Sequence, residues 1–404
     1  GNAITYVDSL PPAWFEAEQP AHVTPGDSFA VGVVDDDLER LNVTLTEDST
    51  VDTANLTLSI NGTEREFGQS YAVNGSDGPV PVTVNTSTGI VGTVGLSMTA
   101  EGSDEAVELR SGETAVYEAP LVVPEDVGTI QQAVDLVPAG ATIEVANGTY
   151  TEPVEITTPG VTLTAHGETQ PTIETAAPGF YEPVVRIDAP DVTVERIDVV
   201  VTGFLPGDGV VAERSNATIR HVSVQDAAHA IRIGGAGTTA HDAVIHDVNV
   251  SGGSSVLARG VTVGHADNAH VYNATISDQN AGIDVYDSAN SVVENNTVTD
   301  SGVGVASFET DDLRVLNNEV DDGNEEKTRA ATVGVQLESF VTSATVSGNE
   351  INDVSEGIYV SGINTGAEIS HNTVTDTDYG VWLEGGDLPA LDVQYNDLAG
   401  ANVS

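Results

Sequence analysis

In the last third of the chain, apolar and polar residues alternate over short runs that return at a near-constant spacing. The segments Val293–Val298, Val315–Val320, Val346–Ile351, Ile369–Val374 and Val393–Leu398 share one pattern: an apolar residue at each end and Asn at the fourth position. The asparagines fall at 296, 318, 349, 372 and 396, in steps of 22, 31, 23 and 24 residues. Six residues are too few for a helical period, and the mostly β-branched ends favour a strand. A second pattern follows a few residues later. Gly260–Val263, Gly282–Val285, Gly302–Val305, Gly334–Leu337, Gly357–Val360 and Gly380–Leu383 each read Gly, apolar, any residue, apolar. That alternation predicts strands with one buried face, and the glycines read as bends between strands.

A repeat of this length means stacked units that share one core. Two or three short strands per turn, each parallel to its copies above and below, predict a right-handed parallel β-helix. An Asn that returns at one inward position needs a partner for every amide. The next coil supplies it, so Asn296, Asn318, Asn349, Asn372 and Asn396 are read as a hydrogen-bonded ladder. Ile197, Val222, Val248 and Ala274 occupy this place earlier, so the ladder begins partway along. Upstream, Ile130, Ala133, Val134 and Val137 recur on one helical face, and Pro138-Ala-Gly140 stops the helix. Gly148-Thr-Tyr-Thr-Glu-Pro-Val154 follows. This run resembles the opening of the pectin-esterase-like and copper-maturation-type parallel β-helix families, in which a short helix plugs the open end. The resemblance spans about residues 124–404. It implies a fold rather than an activity, because this superfold hosts lyases, hydrolases, esterases, adhesins and phage spikes.

Residues 1–118 lack the repeat. Short alternating runs such as Phe29–Val34, Leu41–Leu45, Leu56–Ile60 and Val80–Val84 are separated by turn signals, including Asn61-Gly62. They predict an antiparallel, immunoglobulin-like β-sandwich. Residues 119–128, with Pro120 and Pro124, read as a stiff linker, and 129–404 as the β-helix. The expected fold class is therefore all-β.

Charge changes the picture of where such a chain works. There are 63 acidic residues, one lysine at Lys327 and a net charge of −51. The balance resembles that of haloarchaeal proteins. It disfavours nucleic acid and anionic membranes as partners. No cysteine is present and no apolar stretch reaches membrane-spanning length. Eleven Asn-x-Ser/Thr sequons occur. Those at Asn42, Asn55, Asn61, Asn74, Asn85, Asn249, Asn273 and Asn295 are read as glycosylation sites of an extracellular or cell-surface protein, and those at Asn147 and Asn216 as possible repeat residues only. The alternative is that Asn and Thr simply suit turns and strands.

Several columns are candidates for chemistry. Asp226, Asp278, Asp300, Asp322, Asp353 and Asp376 each follow an inner apolar residue by two. They are read either as turn-capping carboxylates or as Ca²⁺ ligands, with Asp300, Asp321, Asp322, Asn324 and Glu326 the best cation set. Histidines cluster at 221, 229, 241, 246, 265 and 270 without a metal-binding spacing. Arg220 and Arg232 are candidates to meet Asp226 or Asp242. Tyr359, Tyr379 and Trp382 are read as an exposed face for a sugar or a protein partner. No lyase, polygalacturonase or esterase motif set is recognisable, so no catalytic residue is assigned. The favoured reading is a structural or adhesive surface protein that self-associates head to tail. Its assembly would set the uncapped solenoid end at Val393–Leu398 against Trp14 and Phe15 of a neighbouring copy, the alternative being that Trp14 and Phe15 pack on their own sandwich. The alternatives are a polysaccharide lyase or hydrolase and a viral spike or tail fibre.

Charge yields one prediction of its own. Mutual repulsion opposes compaction, and at 1 M salt the screening length falls to about 3 Å. The melting temperature should therefore rise steeply between about 0.1 and 3 M salt, as followed by circular dichroism.

Overall fold

The computed structural model describes residues 14–15, 19–34, 38–73, 79–102, 106–176, 182–203, 207–235, 237–238, 240–253, 258–322, 332–362, 365–385, 390–399 and 402–403. The chain divides into two compact units. One is built mainly from Gly1–Leu121. The other is built mainly from Ala139–Ser404, with Val122–Pro124 and Thr129–Val134.

The N-terminal unit holds two five-stranded sheets. In one, Val80–Thr86 lies antiparallel between Ser28–Val34 and Leu56–Ile60. In the other, Gly92–Glu101 lies between Arg40–Leu45 and Ala106–Val116. Strict alternation drives both sheets together. Phe29, Val31 and Val33 from one, and Leu41, Val43, Leu96 and Met98 from the other, are buried in a single core. Trp14–Phe15 forms a short strand antiparallel to Val33–Val34 of the same unit.

The second unit is a right-handed parallel β-helix with faces of 12, 10 and 11 strands. Each full coil gives one short strand to each face. On the first face Val293, Val315, Val346 and Ile369 stack in register. On the second, Val298, Val320, Ile351 and Val374 do the same. On the third, Ile283, Val305, Val335, Ile358 and Val381 follow. All are buried, so the core is a set of like-on-like apolar columns. Each fully buried Val or Ile contributes about 1.5–3 kcal/mol. The short helix Ile130–Leu136 buries Ile130, Ala133 and Val134. Its Ile130 amide donates to Glu152 Oε1 at 2.8 Å, tying it to the first coil.

The glycines expected at bends lie inside third-face strands instead, and the register assigns Gly304 rather than Gly302 to their column. They are needed for close approach rather than for an unusual φ. A Cβ on Gly334 would sit 2.5 Å from both the Gly357 carbonyl oxygen and Ile351 Cγ2.

The asparagine column points inward. Asn296, Asn318, Asn349 and Asn372 are each 1% exposed. Nδ2 of each donates to Oδ1 of the next: Asn296 to Asn318 at 2.9 Å, Asn318 to Asn349 at 3.0 Å, Asn349 to Asn372 at 2.8 Å and Asn372 to Asn396 at 2.9 Å. The other Nδ2 hydrogen goes to a carbonyl of the preceding coil, as from Asn349 to Val315 O at 3.0 Å. Oδ1 also accepts a backbone N–H from that coil. Every amide atom is satisfied in a place where water is excluded.

The bends themselves carry positive φ. Arg196, His221, Asp247, Asn273, Asn295, Asn317, His371 and Tyr395 form one such column, immediately before the inward position. Asp226, Asp278, Asp300, Asp353 and Asp376 form another, with φ between 49° and 59°. Asn and Asp tolerate this left-handed conformation better than other side-chain-bearing residues. Backbone geometry thus accounts for much of both the aspartate column and the recurring Asn-x-Thr.

Two substitutions test this account. Asn349→Ala would take one acceptor from the Asn318 side chain, the acceptor of the Asn318 backbone N–H and the side-chain donor to the Val315 carbonyl, and should cost about 1–3 kcal/mol. Gly334→Ala should cost at least about as much, through overpacking against the next coil. Denaturant midpoints in molar salt would measure both.

Candidate active groove

On the third face, outward side chains stack in register as the inward ones do. One column runs Arg186, Val211, Arg232, Thr262, Asp284, Ala306, Gln336, Tyr359 and Trp382. A flanking column runs His229, Arg259, Ala281, Val303, Val333, Glu356 and Tyr379. A third holds Gly264, Tyr286, Phe308 and Glu338. Small residues, Thr262, Ala281, Ala306 and Ser307, line part of the middle of this face beside larger neighbours. The result is a groove of about 480 Å³ bounded by His229, Arg259, Asp284, Tyr286, Phe308, Gln336 and Glu338.

A fully buried carboxylate organises one end. Asp208 Oδ1 lies 2.7 Å from His229 Nδ1, and its Oδ2 accepts from Arg232 Nε at 2.9 Å. A buried charge must be paired to be tolerated, and here two groups share that role. The pairing fixes the imidazole ring and makes Nε2 its outer nitrogen. One coil on, Arg259 Nε donates to Asp284 Oδ2 at 2.6 Å. Burial pushes the Asp284 carboxyl above the ordinary range, Arg259 and His229 oppose this, and Glu338 adds to it. Burial also raises the Tyr286 phenol, with the Asp284 charge adding to it. The Thr262 hydroxyl, between Arg232 and Asp284 in register, is buried without a hydrogen-bond partner.

Farther along the same face, Trp382 meets Tyr359 edge-on at 5.7 Å and Tyr379 at 5.0 Å. Tyr359 Oη donates to Glu384.

The remaining candidate residues fall elsewhere. Among the described residues no group of three or more His, Cys, Asp or Glu is arranged to hold a metal. Asp300 sits at a left-handed bend, Asp321 ends a second-face strand and Asp322 is buried. Asn324 and Glu326 lie outside the described residues, as does Asn74. Arg220 pairs with Glu195 at 2.5 Å and Arg232 with Asp208, not with Asp226 or Asp242. Two histidines of first-face strands have carboxylate partners: His246 with Asp247 at 2.6 Å and His270 with Glu294 at 2.9 Å. That hydrogen bond holds the Asp247 carboxyl below its ordinary range. The sequons at Asn61, Asn85, Asn249, Asn273 and Asn295 are exposed, and those at Asn42 and Asn55 half-buried. Val393 is 41% exposed and Leu398 half-buried. The side chains of Trp14 and Phe15 lie outside the described residues.

Sequence reasoning missed the groove, although its signal was present. The third position of the Gly-apolar-x-apolar repeat is the outward column: Thr262, Asp284, Gln336, Tyr359 and Trp382. Asp208, His229, Arg232 and Tyr286 stand just outside that motif.

A family model described as a right-handed β-helix region matches residues 208–393. No curated protein matches the chain by sequence. Among solved structures, the alginate lyase from Paenibacillus sp. str. FPU-7 is 13% identical with a TM-score of 0.49, covering 66% of this chain and 95% of that one. A mannuronic-acid-specific polysaccharide family 6 lyase from human gut microbiota is 14% identical with a TM-score of 0.45, over 64% and 77%. A hyperthermoactive exopolygalacturonase from Thermotoga maritima is 12% identical with a TM-score of 0.39, over 63% and 73%. The expectation of a structural or adhesive subunit is corrected here. The three solved structures are named as an alginate lyase, a polysaccharide lyase and an exopolygalacturonase, and the face expected to take a sugar or a protein partner carries ionisable side chains along a groove.

The raised Asp284 carboxyl has a measurable consequence. An acid whose folded pKa lies above its unfolded value, about 3.9, favours folding below that value and loses the contribution as pH rises through the folded pKa. Asp284→Asn should therefore flatten this part of the stability profile relative to the parent, as read from urea midpoints at each pH.

Proposed function

We propose that this chain is a polysaccharide-cleaving enzyme whose active site is the third-face groove. One observation carries the reading. Three consecutive strands, His229–Gly234, Arg259–Gly264 and Ala281–Tyr286, bring an oriented imidazole, a guanidinium and a phenol to one concave surface. Those are the groups that elimination from a uronic acid needs. Arg259 neutralises the sugar carboxylate and so acidifies C5–H. His229, held by Asp208, removes that proton as general base. The C4–O bond breaks as C4=C5 forms, and Tyr286 gives a proton to the departing oxygen. The groups lie one coil apart, about 4.8 Å, which is close to the length of one sugar in an extended chain.

Hydrolysis is the second reading, favoured by the raised carboxyl of Asp284 in the same groove as Glu338. Glycoside hydrolysis uses a pair of carboxyl groups flanking the bond that breaks.

The same reading places the enzyme outside the cell in a salty medium, supported by the sequons and the charge of −51. It takes the N-terminal unit as an immunoglobulin-like accessory module, supported by the parallel pairing of His22–Val23 beside four antiparallel strands.

The test is incubation of the chain in molar salt with polyuronates such as alginate and polygalacturonate. Elimination gives the absorbance of a conjugated C4=C5 bond. Hydrolysis gives reducing ends without it. Arg259→Ala, His229→Ala or Tyr286→Phe should each lower kcat by about 10²-fold or more. If neither product forms from any acidic polysaccharide, the proposal falls.

A further inference from the structure

The third face changes character along its length. The coils from Arg186 to Arg259 carry Arg186, His229, Arg232 and Arg259. The coils from Gln336 onward carry Glu338, Glu356 and Glu384 around Tyr359, Tyr379 and Trp382. Trp382 stands four coil steps beyond Asp284 in the same outward column, about 19 Å at about 4.8 Å per coil. The aromatic rings lie at an angle to one another rather than stacked face to face, at 75° for Tyr359 and 34° for Tyr379 against Trp382. The carboxylates set among them are acceptors, and from Gln336 onward the described residues of these three columns include no basic side chain. Burial and the Glu384 charge raise the Glu356 carboxyl.

We infer that this aromatic and acidic platform is a second sugar subsite that takes an uncharged sugar, so that the substrate is a mixed polysaccharide rather than a pure polyuronate. An aromatic face stacks on the C–H side of a pyranose. Glu356 and Glu384 accept hydrogen bonds from its hydroxyl or amide N–H groups. A uronate placed there would meet like charges and lose its hydration. The arginine end has the opposite preference. The two ends therefore recognise a chain in which uronate is followed, a few residues on, by neutral hexose or N-acetylhexosamine. The inference rests on the groove being the cleavage site, but the platform is testable apart from cleavage.

Trp382 is one of two tryptophans, so in a Trp14→Phe background fluorescence reports on the platform alone. The full chain would be titrated with a neutral hexose oligosaccharide, an alternating uronate–N-acetylhexosamine oligosaccharide and a homo-oligogalacturonate, at the lowest salt that keeps it folded. The first two should give saturable changes. The third should bind at least about tenfold more weakly, a difference of about 1.4 kcal/mol. Glu356→Gln with Glu384→Gln should narrow that gap, whereas Tyr359→Phe should not. Homo-oligogalacturonate binding as tightly as the others would overturn the inference. So would polyuronate cleavage with no Trp382 response to any sugar, which would leave the cleavage reading standing. Saturable binding of neutral sugar without cleavage of any polymer would support the platform and remove the cleavage reading instead.

Discussion

The pairing of every strand with its own copy one coil later constrains everything else in the solenoid. Parallel strands about 4.8 Å apart force equivalent residues into columns, so any property of one position is repeated along the axis. Columns of Val and Ile satisfy this at once, because like packs on like. Polar groups satisfy it only where each can both donate and accept. Asn meets that condition: Asn318 gives a hydrogen to Asn349 and receives one from Asn296. A column of buried aspartates would not, since each would repel the next. The buried carboxylate of Asp208 instead stands beside His229 and Arg232, not above another acid.

The same constraint creates the groove. Outward columns are free to vary, because solvent rather than the next layer covers them. Where the column passes from Arg232 through Thr262 to Asp284, unlike charges sit two coils apart, and Arg259 closes onto Asp284 from the neighbouring column. Where it passes through Ala306, the side chains are small and the surface dips. Outward groups are thus spaced at the coil repeat of about 4.8 Å. The acidic surface elsewhere gives the few arginines of this face local weight. Ion pairs at half-exposed positions contribute little to stability, so their value here lies in placing charge.

Much of the fold was legible in the sequence. The 22-residue spacing, the two apolar ends of each short segment and the amphipathic stretch at Ile130–Leu136 specify a stacked parallel solenoid with a helix near its start. The physics is local and repetitive, so each coil restates the evidence. The glycine column was legible as a column but not in its role. Bends and close approaches both select Gly, and only the distance from Gly334 to the next coil separates them. The bends were marked by Asn and Asp in columns that also suggested sugar attachment and Ca²⁺. One residue type serves several ends, and composition alone does not divide them.

What the sequence determined by itself was the period, the inward face and the charge, because these depend on neighbours along the chain or on sums over it. The tertiary structure decided the groove. Asp208, His229, Arg232, Arg259, Asp284 and Tyr286 are spread over nearly 80 residues and share no spacing motif. They meet because coils of unequal length still close onto the same register. That closure depends on how much chain each loop takes up, a quantity that no local pattern of apolar and polar residues encodes.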